Sequence, residues 1–335
     1  MNWLIELFKI EKNPKRGLTT YEWAVMAYTL FTLVFIFFTY TKLGSPQALI
    51  LNRLRIVAMT GALWLVYRLV PCKLTMFARA IAQVALLAWW YPDTYELNRI
   101  LPNLDHYFAQ WEQLVFGCQP ALTFSLAMPQ WWFSELMSLG YASYYPLLVV
   151  VLLYYFVCRY HEFERATFVL LASFFAYYVN FDLLPVVGPQ FYYAAIGVDQ
   201  AAKGFFPSVG DYFNTHSEML KNPGWEEGLF YQLVNCAHDA GERPTAAFPS
   251  SHVGVTVVIL MLAWHVQTRR QWLFWTIMPF FVLMFFATVY IQAHYLIDAL
   301  AGLLSGVLFY ILFMKLSPLK ASAKPNKSQR KKRKK

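Results

Sequence analysis

The sequence predicts an all-α protein, a polytopic membrane bundle of about eight transmembrane helices. Three observations carry this reading. Of the 335 residues, 58% are hydrophobic and 19% aromatic. Charged residues make up 14%, against about 25% in an ordinary soluble domain. The apolar residues also fall in long continuous runs, as membrane-spanning helices require, and not in the alternation of a transmembrane β-barrel.

Taken in order, residues 1–20 read as a cytosolic amphipathic segment. Trp3, Leu4, Leu7, Phe8 and Ile10 line one side, as in a helix lying along the membrane interface. Residues 21–317 form the membrane-embedded domain. Its spans are expected at about 21–41, 51–70, 75–91, 142–159, 166–184, 251–267, 271–290 and 294–315. Between the third and fourth, residues 92–140 form an acidic connection. Pro120, Pro129 and the Trp131–Phe133 cluster there point to re-entrant or interfacial helices, and a simple capping loop is the other reading. Between the fifth and sixth, the aromatic-rich loop 185–248 is too long for a plain connector. Residues 318–335 are a basic cytosolic tail. Nine of the 28 Lys and Arg residues lie in 320–335, and without them 19 basic residues face 19 acidic ones.

The net charge of +9 is therefore a property of the tail, which suits anionic lipid headgroups. Without aromatic interleaving or a binding module, it does not read as a nucleic-acid site. Lys and Arg otherwise concentrate in the N-terminal loop, 71–79, 159–165 and Arg269–Arg270. With eight spans, this places both termini in the cytosol and the loops 92–140 and 185–248 outside. No cleavable signal peptide is evident. None of the four cysteines forms a C-x-x-C pair, which argues against structural zinc. Cys118 and Cys236 both fall outside, where a disulfide between them is expected to be possible.

Two stretches carry the chemistry. Phe248-Pro249-Ser250-Ser251-His252 opens one span and His294-Tyr295-Leu296-Ile297-Asp298 opens another. A helix start favours an anion such as phosphate, and Ser250 and Ser251 add hydroxyl donors. His294 and Asp298, four apart, can share a helix face, with the carboxylate fixing one imidazole nitrogen and freeing the other. Two histidines are the parts needed for phosphoryl transfer, one as nucleophile and one as acid. The topology puts both stretches on the same outer face, with the end of the fifth span. Asp182 there either binds a polyol hydroxyl or cation or caps the helix end. Arg243, six residues before Pro249, is either a phosphate clamp or an exposed arginine.

The sequences A-F-P-S-S-H-V-G at 247–254 and V-Y-I-Q-A-H-Y-L-I-D-A-L-A-G at 289–302 resemble the second and third motifs of the type 2 phosphatidic acid phosphatase (PAP2) superfamily. The resemblance implies a PAP2-like core with His294 as nucleophile, Asp298 as its orienter and His252 as general acid. Pro249, Ser250 and Ser251 would bind phosphate. The family's lipid phosphatases carry an arginine six residues before the nucleophile, where this chain has Thr288, and their first motif is missing. Leu184 to Tyr192, including Gln190, is instead similar to the inositol phosphoceramide synthase branch.

The resemblance implies a metal-independent enzyme with no cofactor. One reading is a phosphotransferase that moves a phospho-head group from a phospholipid to a ceramide or diacylglycerol hydroxyl. A second is a lipid phosphate phosphatase, and a third is a membrane protein that keeps the fold without the chemistry. A bacterial inner membrane is the expected location.

Overall fold

The computed structural model describes residues 2–266 and 269–317, which are helical with no strands. The basic tail 318–335 lies outside the described residues. The short α1 (Asn2–Phe8) buries Leu7 and exposes Phe8, as an interfacial helix does. α2 (Thr20–Thr39) starts at a capping box between Thr19 and Glu22. Tyr21, Val25, Thr29, Thr32 and Ile36 recur on its buried face, while Leu30, Phe37 and Phe38 point outward to lipid. α3 (Pro46–Leu69) follows. α4 (Lys73–Ala85) and α5 (Leu87–Asn98) make the third span, with Pro92 inside α5.

The connection 92–140 does hold helices: α6 (Asp105–Phe116), α7 (Pro120–Ala127) and α8 (Trp131–Ala142). Exposed Tyr107, Trp111, Trp131 and Trp132 give them an interfacial aromatic edge. α9 (Tyr144–Cys158) continues α8 across a 45° bend. α10 (Tyr160–Leu183) is the central helix, buried on most of its circumference. The second long loop contains α11 (Pro189–Ile196), α12 (Val198–Ala202) and α13 (Leu229–Gly241). α14 (Ser251–His265), α15 (Trp272–Tyr290) and α16 (Leu296–Leu316) complete the bundle.

All eight expected stretches are thus helical, and six helices are long and apolar enough to cross a membrane. α9 and α14 are shorter, at 15 residues each, or about 22 Å by helical rise. α14 is largely enclosed by other helices, with Val253–Leu260, Leu262 and Ala263 buried. Cys118 and Cys236 are free and exposed, so the expected bridge is not formed. Cys118 lies in the turn between α6 and α7, whereas Cys236 rides on α13, which packs on α8.

Hydrogen bonds identify the two ends of the bundle. At one end, Tyr67 and Tyr160 both donate to Glu11, Arg159 donates to the Val266 carbonyl and Arg165 to that of Met314. The N-terminal segment and the C-terminal end of α16 therefore share one side. At the other end meet the exit of α10 and the starts of α14 and α16. Glycines let the last two helices touch through their backbones. A Cβ on Gly302 would lie 2.5 Å from the Ser250 carbonyl oxygen, and one on Gly306 would lie 2.5 Å from that of Gly254. At the top of this seam the Ser250 N–H donates to the Asp298 carbonyl at 3.0 Å.

The replacement Gly302→Ala should force the seam apart, because the obstacle is backbone. A loss of about 1–3 kcal/mol is expected, read as a lower unfolding midpoint in detergent, with a larger proportional loss of activity than of folded protein.

Candidate active site

The chain enters α14 through Ala246, held at φ 70°, and then Ala247. The Ala247 N–H donates to the Val186 carbonyl, which pins this entry to the exit of α10. The Ala247 carbonyl accepts a hydrogen bond from His294 Nδ1 at 2.8 Å. A carbonyl can only accept, so Nδ1 carries the proton and Nε2 presents a bare lone pair. That Nε2 lies 3.5 Å from His252 Nδ1.

His294 is buried, and burial lowers its pKa to about 4, although the Ala247 carbonyl and the charge of Glu242 pull the other way. The imidazole is therefore neutral and nucleophilic near pH 7. His252 is half-buried. Its ring stacks on that of Tyr141 and packs at a tilt against that of Tyr144, with centroids 4.6 and 4.5 Å away.

Asp298 differs from expectation. Its Oδ2 lies 3.7 Å from His294 Nδ1, beyond hydrogen-bond range, and accepts the Tyr295 N–H at 2.9 Å. The helix begins only at Leu296, so His294 precedes it and the i, i+4 geometry of a continuous helix does not apply. Asp298 caps its own helix, and the Ala247 carbonyl holds the imidazole. At 3.7 Å the carboxylate is still placed to stabilise a cation formed on His294.

The other expected site residues divide. Pro249 and Ser250 are buried, and Ser250 Oγ caps α14 by accepting the Val253 N–H at 3.4 Å. Its backbone carbonyl accepts the Gly254 N–H. That leaves the N–H groups of Ser251 and His252, with the half-buried Ser251 hydroxyl, at the helix start. Gln190 does not face the histidines. Its Nε2 donates to the Leu220 carbonyl and to Asn222 Oδ1, an anchor for the 215–228 loop.

Asp182 is not in the site. It lies four residues beyond Tyr178, which bonds to α5, on the face of α10 turned to α2, and accepts the Tyr28 hydroxyl at 2.9 Å. Tyr177, on the opposite face, meets α16. Sequence order placed Asp182 at the correct depth and the helical phase turned it away. The Arg243 side chain is exposed, and no ion pair to it is found among the described residues.

Residues 106–312, well over half of the chain, match the PAP2 superfamily. The chain belongs to it. No curated protein and no solved structure matches the chain. Membership supports phosphatase- or phosphotransferase-type chemistry on lipid phosphates, in an integral multi-pass membrane protein.

The PAP2 segment runs from α6 to α16 and includes a residue that sequence reasoning missed. Glu112 accepts the N–H groups of Leu296 and Ile297 at 2.9 and 3.0 Å and so fixes the start of the helix that carries Asp298. Burial raises its pKa to about 7. One residue before the segment, Asp105 accepts the N–H groups of Val187 and Gly188 and the hydroxyl of Tyr295, with burial raising its pKa to about 6. The only sequence signal for either was the acidity of 92–140. Thr288, where PAP2 phosphatases carry arginine, is buried and its carbonyl accepts the His294 N–H.

Two outcomes follow from this geometry. Because burial lowers the His294 pKa, the neutral imidazole persists as pH falls until about 4. The acid limb of kcat/KM should lie well below the usual histidine value of about 6.5. Glu112→Ala removes two charge-assisted hydrogen bonds and should destabilise by about 3 kcal/mol, seen as a lower melting temperature together with loss of turnover.

Proposed function

We propose that the protein is a lipid head-group phosphotransferase working through a phospho-histidine on His294 Nε2. The observation that carries this reading is the bare Nε2, held by the Ala247 carbonyl and facing His252 across 3.5 Å. The donor is a phospholipid. The Nε2 lone pair forms an N–P bond while the P–O bond to the departing lipid alcohol breaks, and His252 supplies the proton to that oxygen. An acceptor hydroxyl, of ceramide or diacylglycerol class, then gives its proton to His252 and attacks phosphorus. The N–P bond breaks and His294 is restored. Asp298 stabilises the transient imidazolium from 3.7 Å.

The contact between the histidines is a resting one. In-line transfer puts phosphorus about 3 Å from His294 Nε2 and the leaving oxygen within hydrogen-bond reach of His252, a wider gap than 3.5 Å, so substrate parts the rings. The reaction faces the extracytoplasmic side, with both termini in the cytosol, as the distribution of Lys and Arg implies. Transfer in place of hydrolysis is supported by Thr288 in the position of the phosphatases' arginine and by the burial of His294.

Purified protein given a phospholipid panel with ceramide should form a new phospholipid and a diglyceride. Release of water-soluble head-group phosphate alone would assign hydrolysis instead. His294→Ala should abolish turnover in folded protein, and EDTA should leave it unchanged.

A further inference from the structure

A cavity of about 240 Å³ lies at the end of the bundle away from the histidines, where the N-terminal segment meets the last turns of α3. Pro14, Lys15, Arg16, Tyr67 and Arg68 line it. Three of these five are cations and none is a carboxylate. Lys15 is half-buried and pairs with Glu164. Arg16 and Arg68 are exposed, so the cavity reaches the surface. No carboxylate pairs with either arginine among the described residues. Two like charges lining one cavity repel each other, and an anion between them turns that repulsion into attraction.

The walls are tied together and do not form a loose basic loop. The hydroxyl of buried Tyr67 accepts the Lys15 N–H at 3.3 Å and donates to Glu11 at 2.6 Å. Trp64 Nε1 donates to the Arg16 carbonyl at 3.3 Å, and the Arg68 guanidinium stands over the same indole, 5.5 Å from its centroid. One tryptophan thus holds the backbone of one arginine and the side chain of the other. Behind them Arg79, paired with Glu22, donates to the Gly17 carbonyl at 3.4 Å. Residues 15–17 are therefore fixed before a ligand arrives, which lowers the ordering cost of binding.

The rim says what kind of anion fits. Leu65, Val66 and Leu69 are exposed in the same turns of α3 as Tyr67 and Arg68. A lipid can lay its chains along that apolar face and its head in the cavity, whereas a soluble anion gains nothing from it. Arginine suits phosphate because its planar fork meets two oxygens at once. We propose that this cavity binds the head group of an anionic phospholipid, held by Arg16 and Arg68 in the leaflet opposite the one where the histidines lie. With both termini in the cytosol that leaflet is the cytosolic one, whose surface potential is negative. The site is separate from the basic tail and does not depend on the transferase reading.

The test uses the full chain in mild detergent, with tritium-labelled phosphatidylglycerol as the anionic lipid and phosphatidylcholine as the zwitterionic one. Scintillation proximity reads binding without turnover. Measurement at about 0.5 M NaCl screens diffuse attraction by exposed charges, the tail included. Phosphatidylglycerol should bind at least about 10-fold more tightly than phosphatidylcholine. Arg16→Gln and Arg68→Gln should each weaken it about 10-fold, and together they should remove the preference. Lipid held at the catalytic site is common to all variants and cancels in this comparison. Lys12→Gln, an exposed cation outside the cavity, should change nothing. If Arg68→Gln lowers the unfolding midpoint of lipid-free protein, Arg16→Gln decides alone, because the tie from Arg16 to Trp64 is backbone. Equal binding of the two lipids, native affinity in Arg16→Gln, or an equal loss in Lys12→Gln would overturn the proposal. So would displacement of phosphatidylglycerol by inorganic phosphate at comparable concentration, which would mark a site for soluble anions.

Discussion

The structure depends on the backbone contact between α14 and α16. Gly254, Gly302 and Gly306 allow it, and the hydrogen bond from the Ser250 N–H to the Asp298 carbonyl closes its upper end. In lipid there is little hydrophobic drive for two apolar helices to associate, so close packing and hydrogen bonds must supply it. Because the seam is backbone on backbone, it fixes the two helix starts more tightly than interdigitating side chains would. His252 and Asp298 ride on those starts, and His294 sits on the turn just before α16. Their mutual distances follow from glycines a full turn deeper in the membrane.

Around this seam the outer loops are held by carboxylates that accept pairs of backbone N–H groups. Asp105 takes Val187 and Gly188, Glu112 takes Leu296 and Ile297, and Glu135 takes Phe230 and Tyr231 at the start of α13. In each case a side chain from 92–140 reaches into another segment and satisfies donors that the local backbone leaves open. The acidity of that connection thus has a structural cause: each of these carboxylates closes a specific turn, which a lysine or arginine in its place could not do.

That His252, His294 and Asp298 lie close together was legible in the sequence, because each motif opens a long apolar run; that Asp298 caps its own helix and does not bond His294 was not. The eight helical stretches were legible too, since their apolar runs are long and bounded by Pro, Gly and basic turns. What was not legible is long-range pairing. The partner of His294 Nδ1 is a carbonyl 47 residues away, and a backbone atom leaves no mark on residue identity. Asp182 was misplaced for a related reason: sequence gives its depth along α10, but its direction depends on which neighbours surround a helix that is apolar nearly all round. Gln190 was read in the right neighbourhood and the wrong layer, since it acts on Asn222. The tyrosines that pack against His252 flank a break between α8 and α9 that resembles an ordinary apolar run.

The N-terminal helices lie outside the matched segment, yet they are joined to the site. Tyr91 donates to Glu242, Asn98 to the Phe181 carbonyl and Thr245 Oγ1, Tyr95 to the Phe213 carbonyl and Tyr28 to Asp182. Glu242 and Thr245 lie in the stretch that runs from α13 to Ala247, so α5 fixes the loop whose carbonyl orients His294. This support needs helices that keep their rotation in the membrane, and two buried ion pairs, Arg53 with Asp93 and Arg79 with Glu22, provide it. Such pairs add little net stability when compared with apolar packing, but an unpaired charge in that setting is so costly that every alternative rotation is excluded. The geometry around His294 is therefore a property of the whole bundle and not of the PAP2 segment alone: charges in α2 to α5 set the phase of α5, α5 holds the loop, and the loop holds His294.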